Sequence, residues 1–182
     1  MELKESVLDL GFIEVIDHLG NDLTVANSAR VSFGKRKKTY DKSDERLVRY
    51  LAKHKHFSPF RHLVVQFHIK APEFVTRQLY KHVVGIETTS SSITKDHAWN
   101  EVSQRYLPVG EFYTPEIWRQ QSEDSKQASV GAISSQEEAR EAYRQAIEVG
   151  KHYYKKLLEM GVAKEQARAL LPLSCYTEFY WT

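Results

Sequence analysis

The chain has 182 residues, 41% hydrophobic and 27% charged, which fits one soluble globular domain and is short for two. A formal charge of +2 is too small to argue for a nucleic-acid or membrane partner, and the single cysteine, Cys175, excludes an internal disulfide and a cysteine-built metal site. No apolar run approaches the roughly 20 residues of a membrane span, and Met1-Glu2-Leu3-Lys4-Glu5 is not a signal peptide, so a cytoplasmic location is expected.

Residues 11–17 are β-rich and end at the turn His18-Leu19-Gly20-Asn21-Asp22, which opens a helix to about Phe33. Lys35-Arg36-Lys37-Lys38 follows as a basic loop. Ser43-Asp44-Glu45 reads as the start of the next helix, with an N-cap and acids in the first turn, and Leu47, Val48, Tyr50 and Leu51 as its apolar side. From His62 to Lys70 the pattern alternates, Leu63, Val65, Phe67 and Ile69 against His62, Gln66, His68 and Lys70, which predicts a half-buried strand with both histidines on its wetter face. Ala71-Pro72 ends it, and a helix is predicted from about Glu73 to His82.

Residues 84–99 form a polar, Ser/Thr-rich loop long enough to suggest function. Residues 120–135 read as a surface linker. Ser135-x-x-Glu138 has the form of a capping box opening the longest helix, which keeps helical spacing through Tyr143, Ile147, Tyr154 and Leu158 to Gly161. A short helix is predicted over 164–171 and a β-like aromatic tail over 176–181. Mixed elements without regular strand-helix alternation imply a single α+β domain over 1–182.

Eight histidines raise the question of a metal, yet His54, His56 and His62 lack a familiar ligand spacing and no His-Glu-x-x-His occurs, so no metal is expected. No Gly-x-Ser-x-Gly elbow or glycine-rich phosphate loop is present, and the apolar setting of Cys175 reads as a buried structural thiol. The aromatic residues, 12% of the chain, serve packing or stacking on flat rings.

What remains is anion and amide recognition. Arg77 with Lys81, and Gln78 with His82, are one helical turn apart; the same spacing also suits an ordinary solvated face. Trp99-Asn100-Glu101-Val102-Ser103-Gln104-Arg105-Tyr106 sets Glu101, Ser103 and Arg105 in alternation, on one side of an extended segment, and Arg105 offers the planar fork that grips a phosphate through two bonds.

The run Asn100-Glu101-Val102-Ser103-Gln104-Arg105 resembles half of the signature of the flavin-dependent thymidylate synthases, Arg-His-Arg followed by Ser-x-Asn-Glu-x-Ser-x-Arg. Further segments are similar in the same order: Gly20-Asn21-Asp22, Ala29-Arg30-Val31-Ser32-Phe33, 56–62, Lys70-Ala71-Pro72 with Arg77-Gln78, and Gly161 through Ala167-Arg168 to Tyr176-Thr177. The resemblance implies an α+β fold with a small, mostly antiparallel sheet and several helices, assembled as a homotetramer that shares its active sites between subunits. It implies reductive methylation of dUMP to dTMP, with methylenetetrahydrofolate as carbon donor and NADPH acting through FAD. Gln78, Lys81, Glu101, Val102, Ser103, Gln104, Arg105 and Arg168 would then contact dUMP. Ser32, His56, Ser58, Lys81, His82, Val83, Asn100 and Glu101 would meet FAD, with Ser103 and His56 nearest the chemistry.

Three departures from the pattern stand out. Lys81-His82-Val83 replaces Arg-His-Arg, exchanging one guanidinium for a point charge and deleting the other. The spacer to Asn100, an inserted loop over 84–99, is longer than in the signature. Family members also continue beyond the segment ending at Thr182 with a helical stretch, so this chain is expected to be a portion of a longer protein. The alternative is a catalytically impaired homologue that binds nucleotide or flavin.

Overall fold

In a computed structural model, residues 3–81, 98–105 and 110–182 are described. His82, Val83 and most of the 84–99 loop lie outside them. The described chain is α+β: an antiparallel five-stranded sheet, a two-stranded hairpin and five α-helices.

Strands β1 (Leu3–Val7) and β2 (Gly11–Leu19) pair as a hairpin. Gly20 then turns the chain at φ +83, where an added Cβ would come within 2.8 Å of the Leu63 side chain. Helix α1 (Asp22–Arg30) starts in a capping box, Asn21 accepting from the Thr24 N–H while the Thr24 hydroxyl accepts from the Asn21 N–H. Helix α2 (Lys42–Lys53) is capped by Asp41, earlier than Ser43-Asp44-Glu45 suggested. Asp44 is its N3 residue and is fully buried, paired with Arg30 and with Lys37. A buried carboxylate needs both cations to offset its lost hydration, and this explains the shift in the cap.

Strand β3 (Val64–Pro72) begins later than predicted and includes Ala71 and Pro72, because Ser58–His62 form a 3₁₀ turn. His62 is therefore off the strand and exposed. His68 stays on the strand and is partly covered: its Nε2 lies 2.6 Å from Glu178, and its ring stacks 4.6 Å from that of Tyr180. Pro72 serves as the extended N-cap of α3 (Glu73–Leu79). Strand β4 (Trp99–Glu101) is short, and β5 (Arg119–Gln121) and β6 (Ser129–Ala132) turn the expected 120–135 linker into a hairpin.

Helix α4 (Gln136–Glu159) starts where predicted but without a side-chain cap from Ser135. Gln136 instead ties the start of the helix to the preceding chain, its amide donating to the Trp118 and Ile133 carbonyls and accepting from the Trp118 N–H. Helix α5 (Lys164–Ala167) runs into a 3₁₀ turn, Arg168–Leu170, and β7 (Tyr176–Trp181) follows.

The sheet order is β1-β2-β3-β7-β4, so the last strand in sequence sits inside the sheet, between β3 and β4. Ile69 faces Phe179 and Ala71 faces Thr177 across β3 and β7. Ile69, Ala71 and Phe179 form the core, with Phe67, Val75, Leu79, Trp99 and Trp181 packed against it. The Trp99 and Phe179 rings stack at 3.9 Å between centroids and hold the three-residue β4 in place. Among the described residues no helix is long and apolar enough to cross a membrane.

Candidate functional site

The site is built where β4 leaves the sheet. Because Glu101 pairs with Phe179, its side chain shares the covered face with the core, and there it accepts hydrogen bonds from the Thr177 hydroxyl and from Trp99 Nε1 (3.2 Å). The Val102 N–H still bonds the Glu178 carbonyl (2.8 Å), after which the chain turns at Gln104 and Arg105. Glu101, Ser103 and Arg105 therefore do not share a side by strand alternation, as the sequence suggested. The turn brings them together instead, and Arg105 Nε donates to Ser103 Oγ at 3.3 Å.

A cavity of about 530 Å³ is lined by Glu101, Val102, Ser103, Gln104 and Arg105 together with Glu73, Glu165 and Arg168. Arg168 arrives from the turn after α5, far away in sequence. Two guanidiniums facing one cavity can hold an anion, and the carboxylates can accept N–H or O–H groups beside it.

Glu73 and Glu165 are the lining residues that the sequence reading did not single out. An acid in the first turn of a helix reads as a dipole partner, so neither carries a signal of its own. Glu73 is half-buried, and Gln104 Nε2 donates to its Oε1 at 3.3 Å. Burial, reinforced by the Glu101 carboxylate, raises the Glu73 carboxyl above the usual carboxylate range, against Arg168, Arg77 and the Gln104 amide. Cys175 lies below, buried, its thiol pushed up to about 11 chiefly by desolvation and secondarily by Glu73. That suits a structural thiol and not a nucleophile.

The other expected site residues lie elsewhere. Gln78 and Lys81 are exposed at and after the end of α3 and do not line the cavity. Of the described residues assigned to flavin, only Glu101 lines it. Asn100 projects from the opposite face of the sheet, level with Tyr180. Ser32, His56 and Ser58 are exposed around the 3₁₀ turns that follow α1 and α2. Near them, a groove of about 900 Å³ is lined by Lys35, Arg36, Lys37 and Lys38 with His62. Its loop is fixed by Asn27, whose amide bonds the Lys37 N–H and carbonyl at 2.9 Å each. No group of three or more His, Cys, Asp or Glu side chains among the described residues could hold a metal ion.

Comparison with known proteins places this geometry in a family. A family model described as thymidylate synthase complementing protein matches residues 14–182. The flavin-dependent thymidylate synthase of Thermosipho melanesiensis is 43% identical over 100% of this chain and 74% of its own length. That of Thermus thermophilus is 44% identical over 96% of the chain and 60% of its own length. The chain thus spans about three fifths to three quarters of these relatives. A crystal structure of the UMP/dUMP methylase PolB from Streptomyces cacaoi, bound with 5-Br dUMP, superposes with a TM-score of 0.77 at 31% identity, covering 95% of this chain and 73% of that one. Since both the sequence match and the fold run through nearly the whole chain, this protein belongs to the thymidylate synthase complementing protein family of methyl-transferring enzymes.

Proposed function

We propose that the chain belongs to a flavin-dependent thymidylate synthase that methylates dUMP reductively to dTMP, with methylenetetrahydrofolate as carbon donor and NADPH as reductant through FAD. The observation that carries this reading is the convergence of the Glu101–Arg105 turn with Arg168 around one cavity. A 530 Å³ space suits a mononucleotide. The relatives' names supply the flavin and the reaction, and the PolB neighbour's ligand supplies the nucleotide class.

In this reading Arg105 and Arg168 hold the nucleotide phosphate, Arg105 braced through Ser103. Ser103 and Gln104 present polar groups to the sugar or base, and Glu101 is held by Thr177 and Trp99 to accept from the ligand or cofactor. Gln78 and Lys81, which do not line this chain's cavity, complete the substrate contacts from another subunit of the homotetramer. FAD, when bound, supplies the redox chemistry, and the protein supplies orientation and exclusion of water.

The residues assigned to flavin form two groups. Asn100 and Glu101 lie in β4 and Lys81 follows α3, while His82 and Val83 lie outside the described residues. Ser32, Ser58 and His56 lie in or beside the two 3₁₀ turns whose Val31 and His62 line the basic groove. A homotetramer in which one subunit's first group faces another's second group reconciles them.

The impaired-homologue reading rests on Lys81 standing where the signature has a guanidinium. One experiment separates the two. Purified full-length protein should be yellow and should form dTMP from dUMP only when methylenetetrahydrofolate and NADPH are both supplied. A yellow or dUMP-binding protein without turnover selects the impaired homologue, and a colourless protein that neither binds nor converts dUMP refutes both.

A further inference from the structure

The charges around the cavity do not match an anion in the simple way. Arg105 and Arg168 face three carboxyl groups, Glu73, Glu101 and Glu165, so with all five ionised the lining carries more negative than positive charge. A phosphate brought into such a lining meets repulsion as well as attraction. Glu165 is exposed, and Glu101 accepts two side-chain hydrogen bonds, from Trp99 and Thr177. Glu73 differs from both: it is half-buried at the start of α3, and Gln104, itself buried, makes one hydrogen bond to it.

We propose that Glu73 sets the net charge of this pocket, with its neutral form admitting the nucleotide phosphate strongly, its ionised form weakening capture, and Gln104 as the residue that couples it to the pocket wall. The inference deepens the proposed function, since it rests on a nucleoside monophosphate as the occupant.

The surroundings of Glu73 act on both of its states. Glu101 faces it from the end of β4, Arg168 from the turn after α5, Arg77 from its own helix and Cys175 from the approach to β7. Burial and Glu101 favour the neutral form, while the two arginines and the Gln104 donor favour the charged one. No feature of the sequence marks this balance, because the elements that create it are distant in the chain.

The test is calorimetric titration of dUMP into the full chain and into Glu73→Gln between about pH 5 and pH 9. Glutamine mimics the neutral carboxyl in shape and charge. The phosphate's own titration is common to both proteins, so the readout is the ratio of their dissociation constants. The ratio should stay near one at low pH and rise to about fivefold tighter binding by the variant as Glu73 of the parent ionises. A ratio flat with pH, or weaker binding by Glu73→Gln throughout, overturns the proposal. A second variant, Gln104→Leu, removes a donor that favours the ionised form. Measured in the same way with and without Glu73→Gln, it should move the midpoint of the rise to higher pH, and an unmoved or lowered midpoint counts against the coupling. Absence of dUMP binding by the parent at every pH would instead refute the nucleotide reading, and this inference with it.

Discussion

Replacing Phe179 by alanine tests the link between the core and the site. Phe179 is 1% exposed, lies opposite Ile69 in the sheet, and stacks on Trp99 at 3.9 Å. Its removal leaves a void lined by Ile69, Ala71 and Trp99, and β-sheet backbone on either side resists collapse into it. Phe-to-Ala changes in such settings cost about 3–5 kcal/mol, of which the ring stack accounts for about 1 kcal/mol. Against a total of about 5–15 kcal/mol this leaves a marginal domain, with a melting temperature lowered by roughly 10 °C. Urea denaturation followed by circular dichroism should show the midpoint falling with the slope unchanged. Val130→Ala, on the exposed β6, should stay within about 0.5 kcal/mol in the same assay. Because β4 has three residues and is held by this stack, Glu101 and the following turn should lose order first, and hydrogen exchange at the Val102 amide should quicken more than at β2. A loss below about 1.5 kcal/mol would show that the Phe179 site is not the tightly packed centre described above.

Three further outcomes follow from particular residues. Arg168→Ala and Arg105→Lys should each weaken dUMP binding by about tenfold, the second because an ammonium cannot make the paired bonds, and calorimetry showing unchanged affinity would remove them from the phosphate site. Cys175, buried and with its thiol raised to about 11, should react with a thiol reagent at neutral pH only after denaturation, and Cys175→Ala should keep dTMP formation; rapid labelling of the native protein would contradict its placement. Asp41 is held below the ordinary carboxylate range by Lys37, Ser43 and the α2 backbone, so its contribution to stability is present above about pH 4 and is lost as pH falls through its lowered folded value. Asp41→Asn, which keeps a capping oxygen, should flatten the acid limb of the stability curve, and an unchanged acid limb would refute the assignment.

Much of the fold was legible locally. Strand β2, helices α1 and α4, the short helix after Gly161 and the final strand announce themselves through period, turn residues and Pro or Gly stops, since these signals act within a few residues. The 120–135 hairpin was not legible, because its strands are only three and four residues long and fully exposed, so no buried face imposes a pattern on them. The start of α2 was displaced for a long-range reason: Asp44 is committed to Arg30 and Lys37, leaving Asp41 as the cap.

The sequence by itself determined the family, because ordered short segments such as Asn100–Arg105 and the 161–177 stretch encode chemistry that few other folds use, and it identified Glu101 to Arg105 and Arg168 as residues worth following. Tertiary structure alone decided which of these meet. The insertion of β7 between β3 and β4 carries Glu101 onto the covered face and Asn100 onto the other, brings Arg168 beside Arg105, and adds Glu73 to the same cavity. Strand order and side-chain face depend on pairing between segments far apart in the chain, and no local pattern of residues specifies that pairing.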